Sequence, residues 1–402
     1  MSNITADAKE IATQEAKTRL QEFLDSNTLL ILPRPARPRL SILLVLYNRA
    51  ELTLACLRSL QPRLEEAEAE IVLVDNASRD ETAMLLERIR GAAVIRNGDN
   101  LGFALGVNRA AEAAVGEFLL FLNNDAKLLG DSLMVARRFL SAHPDVGAVG
   151  GRIILLDGTL QEAGCTLWRE GDVFQYGRGD RPTAPEYLFQ RDVDYCSGAF
   201  LMTRRALFDK MGGLDSAFVL GYFEDLDYCV RLWRAGWRVV YLPDVAILHY
   251  ENASSNCPKR VLDLYRRNHL YFTRKHADWL AWQCPRSTPR LWARGSHDDR
   301  FKVLYLPRRQ SPADAPGMAS AIRRLRGLNC FVTVYPIGVV SDHPREETPE
   351  LPPDVEVLCG GALETLPCLL AERRHYYDGL LASDAEIVQC VRRCLPAPAN
   401  AA

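Results

Sequence analysis

The amino-acid sequence predicts an α/β protein built on a mostly parallel sheet, and three observations predict it. Short apolar runs alternate four times with stretches of helical periodicity between residues 40 and 125, the pattern of strands joined by crossover helices. The runs are continuous rather than alternating, as in strands buried on both faces. Each run ends in polar residues, which in an open sheet of this kind gather along the crevice where ligands bind.

Residues 1–39 read as a leader, polar and helix-prone to residue 30 and then Pro/Arg-rich from Ile31 to Arg39. Leu40 to Tyr47 is the first strand, ended by Asn48-Arg49, and Ala50 to Leu60 has helical periodicity. The second strand, Ile71 to Val74, runs into Asp75-Asn76-Ala77-Ser78. Ser78 and Glu81 have the spacing of a capping box for the next helix. Asp75 can accept a hydrogen bond from the imide N–H of a pyrimidine base, or close an Asx turn. Ala93 to Ile95 is a short third strand, followed by Arg96-Asn97-Gly98-Asp99-Asn100-Leu101-Gly102-Phe103 and a helix from Ala104 to Val115. The fourth strand, Phe118 to Leu122, stops abruptly at Asn123-Asn124-Asp125. One carboxylate beside two amides suits an oxygen-ligated Mg²⁺ or Mn²⁺. Taken alone, the triplet reads as an ordinary Asn-Asp turn.

The region from about 145 to 255 is less regular. Val146 to Ile154 and Tyr195 to Met202 read as strands. Leu226, Val230 and Trp233 share one helical face, so Glu224, Asp225 and Asp227 crowd a helix amino terminus, where negative charge is favoured. Asp227 can pair with Arg231 one turn on and reads as structural. Trp237 to Tyr241 is a further strand, and a separate apolar run from Val245 reaches His249. The basic helix over 258–276, with Arg266 and Arg267, reads as a solvated face. Residues 285–300 are polar and Pro/Arg/Ser-rich and read as a linker. Beyond residue 300 a new α/β pattern begins: strands at Lys302–Pro307, Phe331–Tyr335, Val355–Leu358 and Tyr377–Leu381, and helices at Ala315–Leu328 and Leu363–Arg374, before a Pro- and Ala-rich end. These hundred or so residues make half of a doubly wound nucleotide-binding domain. The expected division is therefore 1–39, 40–284, 285–300 and 301–402.

The chain has 402 residues with 48% hydrophobic and 25% charged, an ordinary globular balance with room for two domains. A net charge of -2 argues against a general polyanion binder, so no nucleic-acid partner is expected. The 11 cysteines are scattered without a CxxC pair, as in a cytoplasmic protein with reduced thiols. No signal peptide is expected, and no apolar run approaches the roughly 20 residues of a membrane span.

Seven separated motifs then agree in order: Tyr47-Asn48-Arg49, Val74-Asp75-Asn76, Asn100-Leu101-Gly102-Phe103, Asn123-Asn124-Asp125, Gly198-Ala199, Glu224-Asp225 and His249. Over about residues 40–275 the chain resembles a family 2 glycosyltransferase, most nearly of the rhamnosyltransferase-like branch. The resemblance implies a GT-A fold, a nucleotide-diphosphosugar donor (a dTDP- or UDP-sugar), a divalent metal (Mg²⁺ or Mn²⁺), and a glycan or lipid-linked glycan acceptor such as an O-antigen or capsule precursor. It implies a cytoplasmic hexosyltransferase, acting by inversion at the inner face of the membrane. Peripheral association with that membrane through the acceptor and homo-oligomerisation both stay open. Position by position, Asp75 would hold the donor base, with Tyr47 and Asn48 lining its pocket and Arg96 and Asn97 flanking the crevice. Asp125 would meet the metal, His249 would complete the metal site, and Asn123 and Asn124 would border the donor. Asn123 stands where the family's motif has its first acid. Asp225, with Glu224 beside it, would be the general base, and Arg266 or Arg267 would neutralise diphosphate. Residues 301–402 resemble the first, Rossmann-like half of a GT-B (family 4) glycosyltransferase. Two rivals remain: a nucleotidyltransferase, which would open with a Gly-rich phosphate loop where Tyr47-Asn48-Arg49 stands, and an inactive nucleotide-sugar- or glycan-binding scaffold.

Overall fold

The structure is a computed structural model that describes residues 2–251, 258–294, 297–309, 315–338, 340–341, 343–345, 348 and 350–394. The Pro- and Ala-rich end and Cys257 lie outside the described residues. The chain forms two compact units, Met1–Pro182 with Asp192–Ser287, and Thr183–Arg191 with Thr288–Ala402.

In the first unit, α1 (Ser2–Asp25) is part of the core rather than a separate leader. Its Leu20, Phe23 and Leu24, at helical spacing, are buried with Leu54, Leu57 and Leu60 of α2 (Ala50–Leu60). The sheet strands follow: β1 (Leu40–Leu46), β2 (Ala69–Asp75), β3 (Ala93–Arg96) and β4 (Phe118–Asn123). After them come β5 (Ala126–Leu129), β6 (Val146–Leu155), β7 (Leu160–Ala163), β8 (Phe200–Arg204) and β9 (Arg238–His249). The main order is β9-β6-β8-β4-β1-β2-β3, with β5 paired to β9 and β7 to β6. β1 is parallel to β2 and β4, β2 to β3, and β6 to β9; β8 runs antiparallel between β4 and β6. All seven residues of β2 are buried, and its run is apolar except at its terminal Asp75 and at Glu70, whose carboxylate takes the Ser41 hydroxyl at 2.7 Å and the Val115 N–H at 2.8 Å. The register sets Leu46 beside Asp75, Asp75 beside Arg96, and Val45 beside Asn123. The polar strand ends thus share one edge.

Several expected elements differ. The helix after β2, α3 (Thr82–Glu87), has Glu81 as its N-cap residue, and Ser78 does not cap it. The Ser78 hydroxyl instead accepts the Asn48 N–H at 2.8 Å. The strand expected from Tyr195 begins only at Phe200, because carboxylates from elsewhere take the N–H groups of Ser197 and Gly198. The two strands expected on either side of Pro243 are one strand, β9, with a register shift between Leu242 and Ala246. Proline cannot donate to a ladder, and the strand bulges past it. Helices α4 (Gly102–Ala113), α5 (Ser132–Ala142), α6 (Arg205–Lys210), α7 (Glu224–Arg234) and α8 (Pro258–Lys275) also belong to the unit.

The second unit has an all-parallel four-stranded sheet of β10 (Phe301–Leu306), β11 (Cys330–Val334), β12 (Glu356–Val357) and β13 (Gly379–Ala382), in the order β12-β11-β10-β13. Much of the stretch expected to be a linker belongs to this unit. It carries a helical turn at Arg290–Ala293, and buried Arg294 donates to Glu356 at 2.8 Å. The excursion Thr183–Arg191 belongs here too: Phe189 is fully buried against Phe331 and beneath the Arg294 guanidinium.

Candidate active site

Two clusters form at the strand-end edge. The first lies at the ends of β4 and β9. Asp125 follows β4 and is buried, and His249 ends β9. His249 Nε2 stands 3.1 Å from Asp125 Oδ1 and 3.2 Å from Asn123 Nδ2. His249 Nδ1 stands 2.8 Å from Gln161 Oε1. Burial pushes the Asp125 carboxyl up, but the His249 imidazole and the Arg49 guanidinium outweigh it and hold it below its ordinary range. Burial pushes His249 down, and Asp125 more than restores it. No group of three His, Cys, Asp or Glu side chains suited to a metal occurs among the described residues. The fit to a divalent cation therefore rests on one carboxylate and one imidazole. Asp125 Oδ1 and His249 Nε2, 3.1 Å apart, would both hold one divalent cation, which would supply positive charge at this edge. Such a site suits an ion that is otherwise held by phosphate oxygens and water.

The second cluster opens α7. Leu220, Tyr222 and Phe223 have φ of 69°, 72° and 77°, with Gly221 at 143° between them. Non-glycine residues at positive φ cost of order 1–3 kcal/mol each and persist only where neighbours dictate them. Here the neighbour is Asn268 of α8, fully buried, whose amide donates to the Gly221 and Tyr222 carbonyls at 2.7 and 3.1 Å. Gly102 permits the same loop to approach, since a Cβ there would sit 2.5 Å from the Leu220 Cα. This is the physical content of the Asn-Leu-Gly-Phe motif. Phe223 is the residue before the helix, so Asp225 is its second residue rather than its cap. Asp225 accepts the Gly198 N–H at 2.7 Å and the Leu226 N–H at 2.8 Å. A Cβ on Gly198 would meet the Phe103 ring at 3.2 Å and the Asp225 Cβ at 3.5 Å. Burial raises the Asp225 carboxyl, opposed by these backbone donors. Burial and the adjacent Asp225 charge raise Glu224 well above its ordinary value, and Glu224 Oε2 has no hydrogen-bond partner among the described residues. A third carboxyl, Glu162 of β7, accepts the Ser197 N–H at 3.3 Å and is pushed up to about 7 by burial.

The remaining expected residues are placed as follows. Tyr47 is half-buried after β1. Asn48, at φ 58°, accepts the Arg79 N–H at 2.8 Å and so joins the ends of β1 and β2. Asp75 Oδ1 accepts the N–H of Ser78, three residues on, at 3.0 Å, one residue beyond the Asx-turn spacing. Asn97 and Asn124 are buried in the framework: Asn97 bonds Asn76 and Arg109, and Asn124 bonds the Thr53 hydroxyl at 3.0 Å. Arg96 and Arg266 are exposed. Arg267 donates to the Val219 carbonyl at 3.1 Å and to Asn268. Asp227 is structural, fully buried among Arg231, Lys275 and His276 at 2.7, 2.5 and 2.8 Å. Gln161 and Glu162 escaped the sequence reading, and Asn268, on the helix expected to be a solvated face, is instead fully buried. Only Asn268 left a signal, as a poor helix former inside a helix.

Strand-end polar groups, a carboxylate–imidazole pair and a buried acidic pair define a ligand-binding α/β domain with acid–base capacity. The glycosyl transferase family 2 model matches residues 41–212. A glycosyltransferase of PGL/p-HBAD biosynthesis from Mycobacterium bovis is 30% identical over 220 residues, 54% of this chain and 77% of that protein. The N-acetylglucosaminyl-diphospho-decaprenol L-rhamnosyltransferase of Mycobacterium tuberculosis is 28% identical over 245 residues, 55% of this chain and 79% of that protein. The O-antigen biosynthesis protein RfbC of Myxococcus xanthus is 30% identical over 231 residues, 55% of this chain. The chain belongs to glycosyl transferase family 2, and its sheet is the GT-A architecture the resemblance implies. It spans only 25% and 18% of the length of two of the curated relatives it matches. The family match ends before Glu224, Asp225 and His249. Among the described residues no helix is long and apolar enough to cross a membrane.

Proposed function

We propose that the first unit is an inverting glycosyltransferase that moves a sugar from a nucleotide-diphosphosugar to a hydroxyl of a glycan or lipid-linked glycan. The observation that carries it is the buried Glu224–Asp225 pair beside a Gly198 N–H, in a family 2 chain whose Asp125 and His249 converge. The names of the relatives support a deoxysugar such as rhamnose and a cell-surface polymer.

The pair divides acid–base work by environment. Two backbone donors stabilise ionised Asp225, whereas Glu224 Oε2 has none and keeps its proton. Asp225 is thus an ionised carboxylate made more basic than usual, suited to take the proton of an attacking hydroxyl. Asp75, with Tyr47 and Asn48, frames the donor base, and Arg96 and Arg266 face the solvent side where diphosphate charge needs partners. A divalent cation held by Asp125 and His249 would offset the charge of the leaving nucleoside diphosphate. The segment 301–402 remains a proposed GT-B-like half domain. The test is incubation with dTDP- and UDP-sugars and Mn²⁺, reading nucleoside diphosphate release. Absence of both binding and release across the panel would leave the scaffold reading.

A further inference from the structure

β7 pairs with β6 through Ile153–Glu162 and Ile154–Leu160, so Gln161 is the extra residue of a bulge. A bulge re-aims a side chain that strict alternation would send elsewhere. Gln161 is buried, and its amide oxygen lies 2.8 Å from His249 Nδ1. A carbonyl oxygen has no proton to give, so Nδ1 carries the ring proton. On the other side of the ring, Nε2 stands 3.1 Å from Asp125 Oδ1 and 3.2 Å from the Asn123 amide nitrogen. Gln161 Oε1 thus holds the Nδ1 proton whether or not Nε2 carries one, and leaves Nε2 facing Asp125 Oδ1, where it donates in the metal-free ring and would ligate once a cation replaced that proton.

We propose that Gln161 is a positioning residue: it fixes the His249 tautomer and ring plane so that Nε2 and Asp125 act as adjacent ligands of a divalent cation. Outer partners of this kind orient ligating imidazoles and tune metal affinity. The proposal rests on the metal reading above. It adds a residue that touches neither metal nor substrate and lies on a strand remote in sequence from both ligands.

The experiment is Mn²⁺ titration of the full chain without donor, read by electron paramagnetic resonance, for wild type, Gln161→Leu and Gln161→Glu. Gln161→Leu should weaken Mn²⁺ binding roughly 10–100-fold, and Gln161→Glu, which keeps an acceptor oxygen, should bind within a few-fold of wild type. Nitrogen-15 histidine spectra of the metal-free wild type should show His249 protonated at Nδ1, a readout independent of how well the Leu variant folds. Equal Mn²⁺ affinity in Gln161→Leu, or a wild-type His249 that lacks a proton on Nδ1, would overturn the role of Gln161. A wild type that binds nucleotide sugar but no Mn²⁺ would overturn the metal site and this proposal together, and leave the transferase reading standing.

Discussion

At Glu224 and Asp225, adjacent residues of one type meet different surroundings. Asp225 accepts two backbone N–H groups, and Glu224 leaves an oxygen without a partner. Asp225→Asn keeps the shape but cannot accept a proton, so transfer should fall at least roughly a hundredfold with donor binding unchanged. Wild-type turnover in that variant would move the base to Glu224 or Glu162. Glu224 makes a different prediction through linkage. Its carboxyl is raised in the folded state, so its contribution to stability is full below its unfolded pKa of about 4.3 and is lost as pH rises through the raised value. Glu224→Gln removes that loss. Its melting temperature should exceed wild type near pH 8, and the difference should vanish near pH 4. An equal shift at both values would show that the variant acts through packing alone. At this scale the sequence was partly readable. Asp125, His249 and Asp225 stood out because each ends an apolar run or opens a helix. Gln161 and Glu162 did not, because a bulge is a property of strand pairing rather than of local spacing.

Among elements, the pair α7 and α8 holds the site in a conformation that its own sequence disfavours. Three non-glycine residues at positive φ precede α7, and Asn268 supplies the hydrogen bonds that hold them. Asn268→Ala removes both bonds, and the loop should relax toward ordinary backbone angles. Because small misplacements of catalytic groups are costly, kcat should drop by roughly tenfold or more, while the KM for the donor changes little. A variant with unchanged kcat would show that the strained turn is held without Asn268. Asp227 anchors the same two helices. The Arg231, Lys275 and His276 partners outweigh burial and lower its carboxyl, so it stabilises above the unfolded value of about 3.9, and this is lost as pH falls through the lowered value. Asp227→Asn should cost about 3–5 kcal/mol at neutral pH, measured by denaturant unfolding, and less in acid. The i,i+4 pair with Arg231 was legible from spacing. Lys275 at the end of α8 and His276 just past it were not, since they lie some fifty residues away.

The division of the whole molecule follows contacts that local composition does not report. Up to residue 125 the strand–helix alternation was legible because each period is written in consecutive residues. The boundary of the second unit was not, because Arg294 and Phe189 are assigned by what they pack against. Glu356 shows the consequence. Burial raises its carboxyl, but Arg294 and Arg373 overcome this and bring it down to about 2. Relative to an ordinary value of about 4.3, that is stabilisation on the order of 3 kcal/mol at neutral pH. It is present above the unfolded pKa and lost as pH falls from about 4 toward 2. A fragment beginning at residue 301, where the sequence suggests a boundary, lacks Arg294 and Phe189. It would leave Glu356 with one guanidinium fewer and Phe331 without its ring contact. A fragment from Thr288 keeps Arg294. Comparing the two by thermal melting at pH 7, the longer fragment should be the more stable, and the gap should shrink near pH 3, where Glu356 of the unfolded chain is already protonated. The converse cut, after Ser287, leaves Tyr187 and Phe189 attached to the first unit without the residues that bury them in the second. That truncated chain should bind nucleotide sugar yet self-associate, and Phe189→Ser within it should restore monomeric behaviour in sedimentation. If the unaltered truncation sediments as a monomer, residues 183–191 do not depend on the second unit for their cover.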